Sequence, residues 1–383
     1  MGAKTTHFRV GNGDMALIEL ESGRTILADI NIRAAADDPE EKDIPDVAGQ
    51  LRKRLKRDAA GRLYVDAFLL THPDQDHCRG LQKHFHIGPL SSWSAKDDKI
   101  VIREMWSSPV VFRRACKDHT LCEDAKAWNT EARRRVNLFR ACRYAGDGDR
   151  ILILGEDVDG KTDDLRAILV KANETFRTIN GVTDGTFEAR LLAPILPSGD
   201  EEEEDTLSKN NSSVVLRLDL QADGTAAAAR YLLGGDAEVV IWERIWDRNA
   251  HQSSVLEYDV LIAPHHCSWH SLSHDSWSIW GEDAIVSQTA RKALGQARPG
   301  AMILSSSKTI CDDDRDPPCT RAKREYQSIL RPKSGAFTCI ADQKGQEPYE
   351  IDVTWAGAKP KRSTVAASVA LVGGIGSQPW PHG

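Results

Sequence analysis

Three short segments open the chain, HFRVG at 7–11, DMALIELES at 14–22 and RTILADIN at 24–31, alternating apolar and polar positions around glycines 11, 13 and 23. A period of two broken by turn residues predicts a meander of half-buried strands. Pro45 to Arg57 has helical spacing with a cationic outer face, and Tyr64 to Leu70 is a short apolar run that reads as a buried strand ending in the loop THPDQDHCRG. The clearest helical period covers 123–145, within a stretch from about Gly88 to Gly148 expected to be a helical insertion over the core. Further strands are predicted at 150–154, 188–192, 212–220, 230–233, 259–263, 301–305, 336–341 and 349–355, with a helix at 320–330. From Ala356 to Gly383 no period persists, which predicts a flexible C-terminal tail. This alternation, with a strand-rich start to each half, predicts one α/β domain over 1–355, two sheets face to face with helices outside.

Composition narrows the class without choosing a function. The 383 residues are 40% hydrophobic and 28% charged, ordinary for a globular protein. No apolar run approaches roughly 18 residues and MGAKTTHFRV lacks the pattern of a secretory signal, so the expected location is the cytoplasm, away from membranes. Eight cysteines without a C-x-x-C pair argue for reduced thiols rather than a disulfide framework. Cys116, His119 and Cys122 are spaced as metal ligands could be, but no second pair completes such a site. A net charge of −7 gives no overall basic footprint for nucleic acid. The runs at Lys53 to Arg57 and Arg133 to Arg135 read as solvated helix faces, and Asp200 to Asp205 as a solvated acidic loop.

Chemistry concentrates at predicted strand ends. His72, Asp74, Asp76 and His77 form H-x-D-x-D-H directly after a buried strand. Two imidazoles and two carboxylates in one loop can hold two adjacent divalent ions, although Asp74 or Asp76 could instead cap the following helix. Asp236 follows the strand YLLGG, where a lone carboxylate can bridge two metals, and His265 and His266 follow DVLIAP. Three such clusters at strand ends favour a site, because α/β folds place their sites there.

The same pieces in the same order resemble the ComEC-type (competence protein) branch of the metallo-β-lactamase superfamily, over nearly the whole chain to about Trp355. FRVGNGDMALIELESGRTILADIN resembles the family's opening, with Asp14 after a G-x-G turn and Asp29 at a strand end. LLTHPDQDHCRG resembles its metal loop, KNNSSVVLRL its asparagine-serine strand, LLGGDAE its bridging aspartate and DVLIAPHHCSWHS its histidine-pair segment. The resemblance implies an αββα metallo-β-lactamase sandwich with two divalent ions, zinc or manganese with magnesium possible. One ion would sit on His72 and Asp74 and the second on Asp76, His77 and either His265 or His266, with Asp236 between them. Asp76, Asp236, His265 and His266 are then the catalytic candidates. Asp29 would orient the loop from behind, and Asn210, Asn211, Ser268 and Trp269 are candidates for contact with substrate. The sequence departs from the family at Cys267, at Cys78 and Arg79, and at DDDRDPPCT, which lacks the late histidine.

The implied activity is hydrolysis by a metal-activated water, and the hard oxygen of Asp74 favours ions that suit phosphate. A phosphodiesterase or nuclease acting on DNA or RNA is the leading expectation, with a nucleic acid or nucleotide as substrate. A hydrolase of a cyclic nucleotide, lactone or thioester is the alternative, as is a metal-binding scaffold without catalysis. Trp269, Trp277 and Trp280 follow the histidine pair closely enough either to stack bases or simply to pack.

Overall fold

The computed structural model describes residues 2–37, 44–109, 121–156, 160–196 and 212–361. Its larger sheet runs in spatial order Leu169–Val170, Arg150–Leu154, Ile100–Ser107, Leu63–Leu70, Thr25–Ala28, Ala16–Glu19, Lys4–His7, Tyr349–Thr354 and Gly357–Pro360. The smaller runs Thr175–Phe176, Phe187–Ala193, Val215–Ala222, Thr225–Leu233, Tyr258–Ile262, Ala297–Ser305 and Ala336–Cys339. Both are mixed. Thr25–Ala28, Leu63–Leu70, Ile100–Ser107 and Arg150–Leu154 lie parallel in the first, and the last four strands of the second are likewise parallel.

Side-chain alternation along each strand sets the layers. Ala67 and Leu69 point between the sheets, where they join Ile18, Ile26 and Trp106 against Leu216, Leu218, Tyr231 and Val260 of the other sheet. Phe68 and Leu70 point the opposite way, into a second core beneath the helices Val47–Arg54 and Glu123–Cys142. The longer of these helices presents Ala125, Trp128, Ala132, Val136 and Phe139 at spacings of three and four, and Trp128 meets Phe68 edge-on with ring centroids 5.0 Å apart. A third core lies outside the smaller sheet, where Leu232, Leu261 and Ile303 pack beneath the helices Val239–Asn249, Gln288–Leu294 and Thr320–Leu330. The protein is therefore a four-layered αββα sandwich.

Two stretches differ from the pattern expected of them. Residues 88–148, read as an insertion, contain Ile100–Ser107, an interior strand of the larger sheet, and the helix Glu123–Cys142 that covers that sheet. The charged pair Arg103 and Glu104 hides this strand in the sequence. Glu104 is buried and accepts hydrogen bonds from Trp106 Nε1 and the Asn180 amide, both at 2.9 Å, while Arg103 reaches Asp66 at 3.0 Å. Likewise Gly357–Pro360, placed in the tail by its composition, pairs antiparallel with Tyr349–Thr354; the remainder of that tail lies outside the described residues.

Trp269 belongs to the third core. It is fully enclosed, meets Trp277 at a ring-centroid distance of 6.5 Å and carries the Arg321 guanidinium 5.4 Å above its ring. A ring so enclosed cannot stack on a base, which corrects the expectation of substrate contact. Ser268 is buried as well, and its hydroxyl caps the next helical turn by accepting from the His270 amide at 3.1 Å. Trp269→Ala is expected to lower the unfolding free energy in urea by about 3–5 kcal/mol and to spare any binding of single-stranded nucleic acid; undiminished stability with lost binding would return this ring to the site.

Candidate metal centre

The C-terminal ends of parallel strands from both sheets meet at one rim. Leu63–Leu70 delivers His72 to His77, Thr225–Leu233 delivers Asp236, and Tyr258–Ile262 delivers His265 and His266. Backbone bonds tie these turns down: the His265 amide donates to the Gly235 carbonyl at 2.9 Å, and the Val214 amide, at the head of the strand Val215–Ala222, donates to the Thr71 carbonyl at 3.0 Å.

Asp236, only 3% exposed, stands at the centre. Its Oδ2 is 3.6 Å from His72 Nε2, 3.6 Å from His266 Nε2 and 3.8 Å from His265 Nε2, and its Oδ1 is 3.1 Å from His77 Nε2. Asp76 Oδ2 lies 3.3 Å from His266 Nε2, which is itself 3.3 Å from His77 Nε2. Asp74 Oδ2 lies 3.7 Å from His72 Nε2. Donor atoms about 2.1 Å from a common ion stand roughly 3.0–3.4 Å apart along octahedral or tetrahedral edges, a range that holds three of the contacts among His77, His266, Asp76 and Asp236 at 3.1–3.3 Å, while the contacts of His72 and His265 are wider at 3.6–3.8 Å. Asp76, His77, Asp236 and His266 each place a donor atom within 4.8 Å of the others and could hold a metal ion. The direction of the contacts agrees. His72 Nε2 and Asp236 Oδ1 are buried without a hydrogen-bond partner despite their close neighbours, as expected of atoms that converge on a point rather than on each other.

The shell behind the cluster fixes which imidazole nitrogen is available. Asp29 accepts from the Thr71 amide at 2.8 Å and from the Thr71 hydroxyl at 2.6 Å, and its Oδ2 is 2.8 Å from His77 Nδ1. A carboxylate there holds the proton of His77 on Nδ1 and turns the Nε2 lone pair inward. Having given its only proton to Asp29, Thr71 Oγ1 can only accept from His72 Nδ1, 3.2 Å away, which leaves His72 Nε2 as the inward lone pair too. Asp14 Oδ1 stands 3.6 Å from His266 Nδ1, beyond hydrogen-bond distance, and that nitrogen faces the Gly13 amide at 3.3 Å. Sequence reasoning gave Asp14 and Thr71 no role, although both lie in segments it singled out, the G-x-G-D turn and LLTHPD.

Backbone strain concentrates here. Asp29 has φ 52°, and His265, His266 and Cys267 have φ 50°, 53° and 69°, a left-handed run of non-glycine residues. Such conformations cost of order 1–3 kcal/mol each and persist where the surroundings over-determine them. The run lets both histidines of the pair face Asp236, where a regular strand would send neighbours to opposite sides. Gly13 is required for a different reason: a Cβ there would lie 2.2 Å from Asn31 Nδ2 and 2.6 Å from the Asp76 carbonyl oxygen.

The other candidates divide. Asn210 and Asn211 lie outside the described residues. The segment DDDRDPPCT folds back on the histidine pair, with Asp316 accepting from the Trp269 amide at 3.1 Å and the Cys319 amide donating to the Cys267 carbonyl at 3.0 Å. His7, buried against Thr5 and Tyr231, is held neutral by burial, which lowers its pKa to about 3.

Without metal, protons neutralise the cluster. Burial opposes a charged His77, but Asp236 and Asp29 outweigh it and raise its pKa; burial is likewise outweighed at His266, raised to about 10 by Asp236, Asp14 and Asp76. Burial lowers the pKa of His72, and the charge of His77 adds to that effect. At Asp236 burial acts upward and is overcome by the imidazoles, which hold the carboxylate ionised.

No protein-family model and no curated protein sequence matches this chain. Among solved structures it is similar to the crystal structure of unliganded yeast PDE1, with 9% identity and a TM-score of 0.39, over 88% of this chain and 97% of that one.

Two outcomes follow from the site's electrostatics and packing. Protons on His77 and His266 stabilise the metal-free fold fully below the ordinary histidine value of about 6.5, and this increment is lost as pH rises toward about 10. In EDTA the melting temperature should therefore fall over that window, and Mn²⁺ should abolish the fall by replacing the protons; a flat profile in EDTA would contradict the arrangement. Gly13→Ala, which drives a methyl group into the Asp76 backbone, should lower metal content in a soluble protein, and unchanged metal content would show that the loop yields there freely.

Proposed function

We propose that this chain is a divalent-metal-dependent phosphodiesterase that cleaves DNA or RNA by hydrolysis. The observation that carries the reading is Asp236, buried among four imidazole nitrogens at 3.1–3.8 Å, with Asp76 closing one side and Asp74 beside His72 on the other. We assign His72 and Asp74 to one ion and Asp76, His77 and His266 to the second, with Asp236 shared and His265 beside it on the first side. Divalent ions held there supply Lewis acidity and a nucleophile usable at neutral pH. Carboxylate oxygen from three aspartates suits hard ions such as Mn²⁺ or Mg²⁺, and hard ions suit phosphate oxygen.

The chain's own groups divide the remaining work. His72, His77, His266 and Asp236 form the closed floor, with side chains between 0% and 4% exposed. Asp76, 36% exposed, and His265, 15% exposed, form the open side over which a substrate must approach. Asp29, through Thr71 and His77, keeps the floor rigid before substrate arrives, because a ligand whose far nitrogen is fixed cannot rotate out of place.

Asp236→Asn is expected to remove Mn²⁺-dependent release of nucleotides from DNA or RNA while the chain stays folded, with a loss exceeding the ~10–100-fold typical when only an outer partner of a ligand is removed. Asp29→Asn should fall within that smaller range. Retained turnover in the Asp236 variant, or no phosphodiester cleavage by the intact protein with any divalent metal, would overturn the reading.

A further inference from the structure

On the far side of the Gly11 to Asp14 turn lies a second cavity, of about 430 Å³, that no part of the metal cluster lines. Three cations line it, Arg9, Arg33 and Lys308, together with the Ser307 and Thr309 positions. None of its described lining residues is acidic, in a chain where Asp and Glu outnumber Lys and Arg by 57 to 50. The Arg33 guanidinium and the stem of Lys308 flank Gly11: a Cβ at that glycine would lie 3.8 Å from Arg33 Nη1 and 3.9 Å from Lys308 Cγ. Arg9 is anchored by Nη2, which donates to the Ala341 carbonyl at 2.8 Å, while its Nε is buried with no hydrogen-bond partner.

The cavity is coupled to the metal cluster through one thickness of backbone. The Gly13 amide nitrogen is 3.3 Å from His266 Nδ1, and the Gly13 carbonyl accepts from the Ser306 hydroxyl at 2.6 Å, Ser306 being part of the cavity wall. Asn12 pins the same turn from outside, accepting at Oδ1 from the Lys308 amide at 2.9 Å and donating from Nδ2 to the Pro317 carbonyl at 3.0 Å. The turn that supports His266 is thus also the wall of a basic hollow. A guanidinium pair and an ammonium group, with no carboxylate among the described lining residues, fit a compact polyanionic oxygen group, and arginine forks match phosphate geometry.

We propose that this hollow is a phosphate subsite, which holds a phosphate of the substrate next to the one presented to the metal cluster. The ligand class is a nucleotide chain or a free nucleotide, recognised through its phosphate rather than its base; that identity rests on the phosphodiesterase reading, whereas the anion site rests on the cavity itself. Engagement of a neighbouring phosphate would fix the register of the strand and supply affinity that the acidic protein lacks overall.

The test uses the full chain in EDTA, where cleavage is silent, and measures binding of inorganic phosphate, a nucleoside monophosphate and a non-cleaved dinucleotide by calorimetry. Wild type should bind the dinucleotide, and Arg33→Ala/Lys308→Ala should weaken it at least about tenfold and flatten the dependence of log affinity on log salt by about 1, as expected for fewer phosphate contacts. Lys308→Glu, a single exposed change, guards against a folding defect in the double variant and should weaken binding in the same direction. A monophosphate bound as well as the dinucleotide identifies a free nucleotide as the occupant, and a dinucleotide bound better identifies a strand; both support the site. Undetectable binding of all three probes by wild type, or affinity unchanged in both variants, overturns it. Phosphodiester hydrolysis absent while this binding survives would sink the catalytic reading and leave the anion site standing.

Discussion

A carboxylate buried as deeply as Asp236 must be neutralised, because an unpaired charge removed from water costs far more than a domain's whole margin of stability. Much of the arrangement at this rim answers that need. Imidazoles from two separate segments converge on Asp236, one segment from each sheet, so the cluster forms only when the sandwich closes. The solution remains incomplete with protein atoms alone. Protons can cancel the charge, but they leave His72 Nε2 without a hydrogen-bond partner among the described residues, a position a divalent ion could fill.

That demand explains the unusual features around the site. The left-handed run from His265 to Cys267 turns two consecutive side chains the same way, at a conformational cost met by the packed core beneath Cys267 and Trp269. Asp29 also occupies a left-handed conformation, one that aspartate tolerates better than most residues. From there it accepts three hydrogen bonds, from both donors of Thr71 and from His77. Gly13 lets a turn from the larger sheet pass against the Asp76 carbonyl, which brings Asp14 behind His266.

Much of this was legible in the sequence for local reasons. The strand before His72 is apolar on both faces after Asp66, so its end was marked, and the strand boundaries at Arg150–Leu154 and the helix Thr320–Leu330 follow from period alone. What depended on distant partners stayed hidden. Ile100–Ser107 is an interior strand whose Arg103 and Glu104 look solvent-facing until Asp66, Trp106 and Asn180 are seen to satisfy them. Nearness in sequence to the histidine pair made Trp269 a candidate for substrate contact, but the backbone reverses after Cys267 and sends the ring into the third core. The sequence offered His265 or His266 as ligand without choosing; their shared left-handed conformation places both at Asp236, with His266 alone of the two also against Asp76 and His77. The basic hollow escaped notice because Arg9, Arg33 and Lys308 come from three remote segments and form no run.

The central claim, that Asp236 lies between two divalent ions, is tested most directly by Mn²⁺ titration of the intact chain followed by electron paramagnetic resonance. Two ions sharing one carboxylate should give a spectrum of exchange-coupled spins that appears as the second equivalent binds. A spectrum that stays that of isolated Mn²⁺ up to saturation, or saturation at one ion per chain, would contradict it.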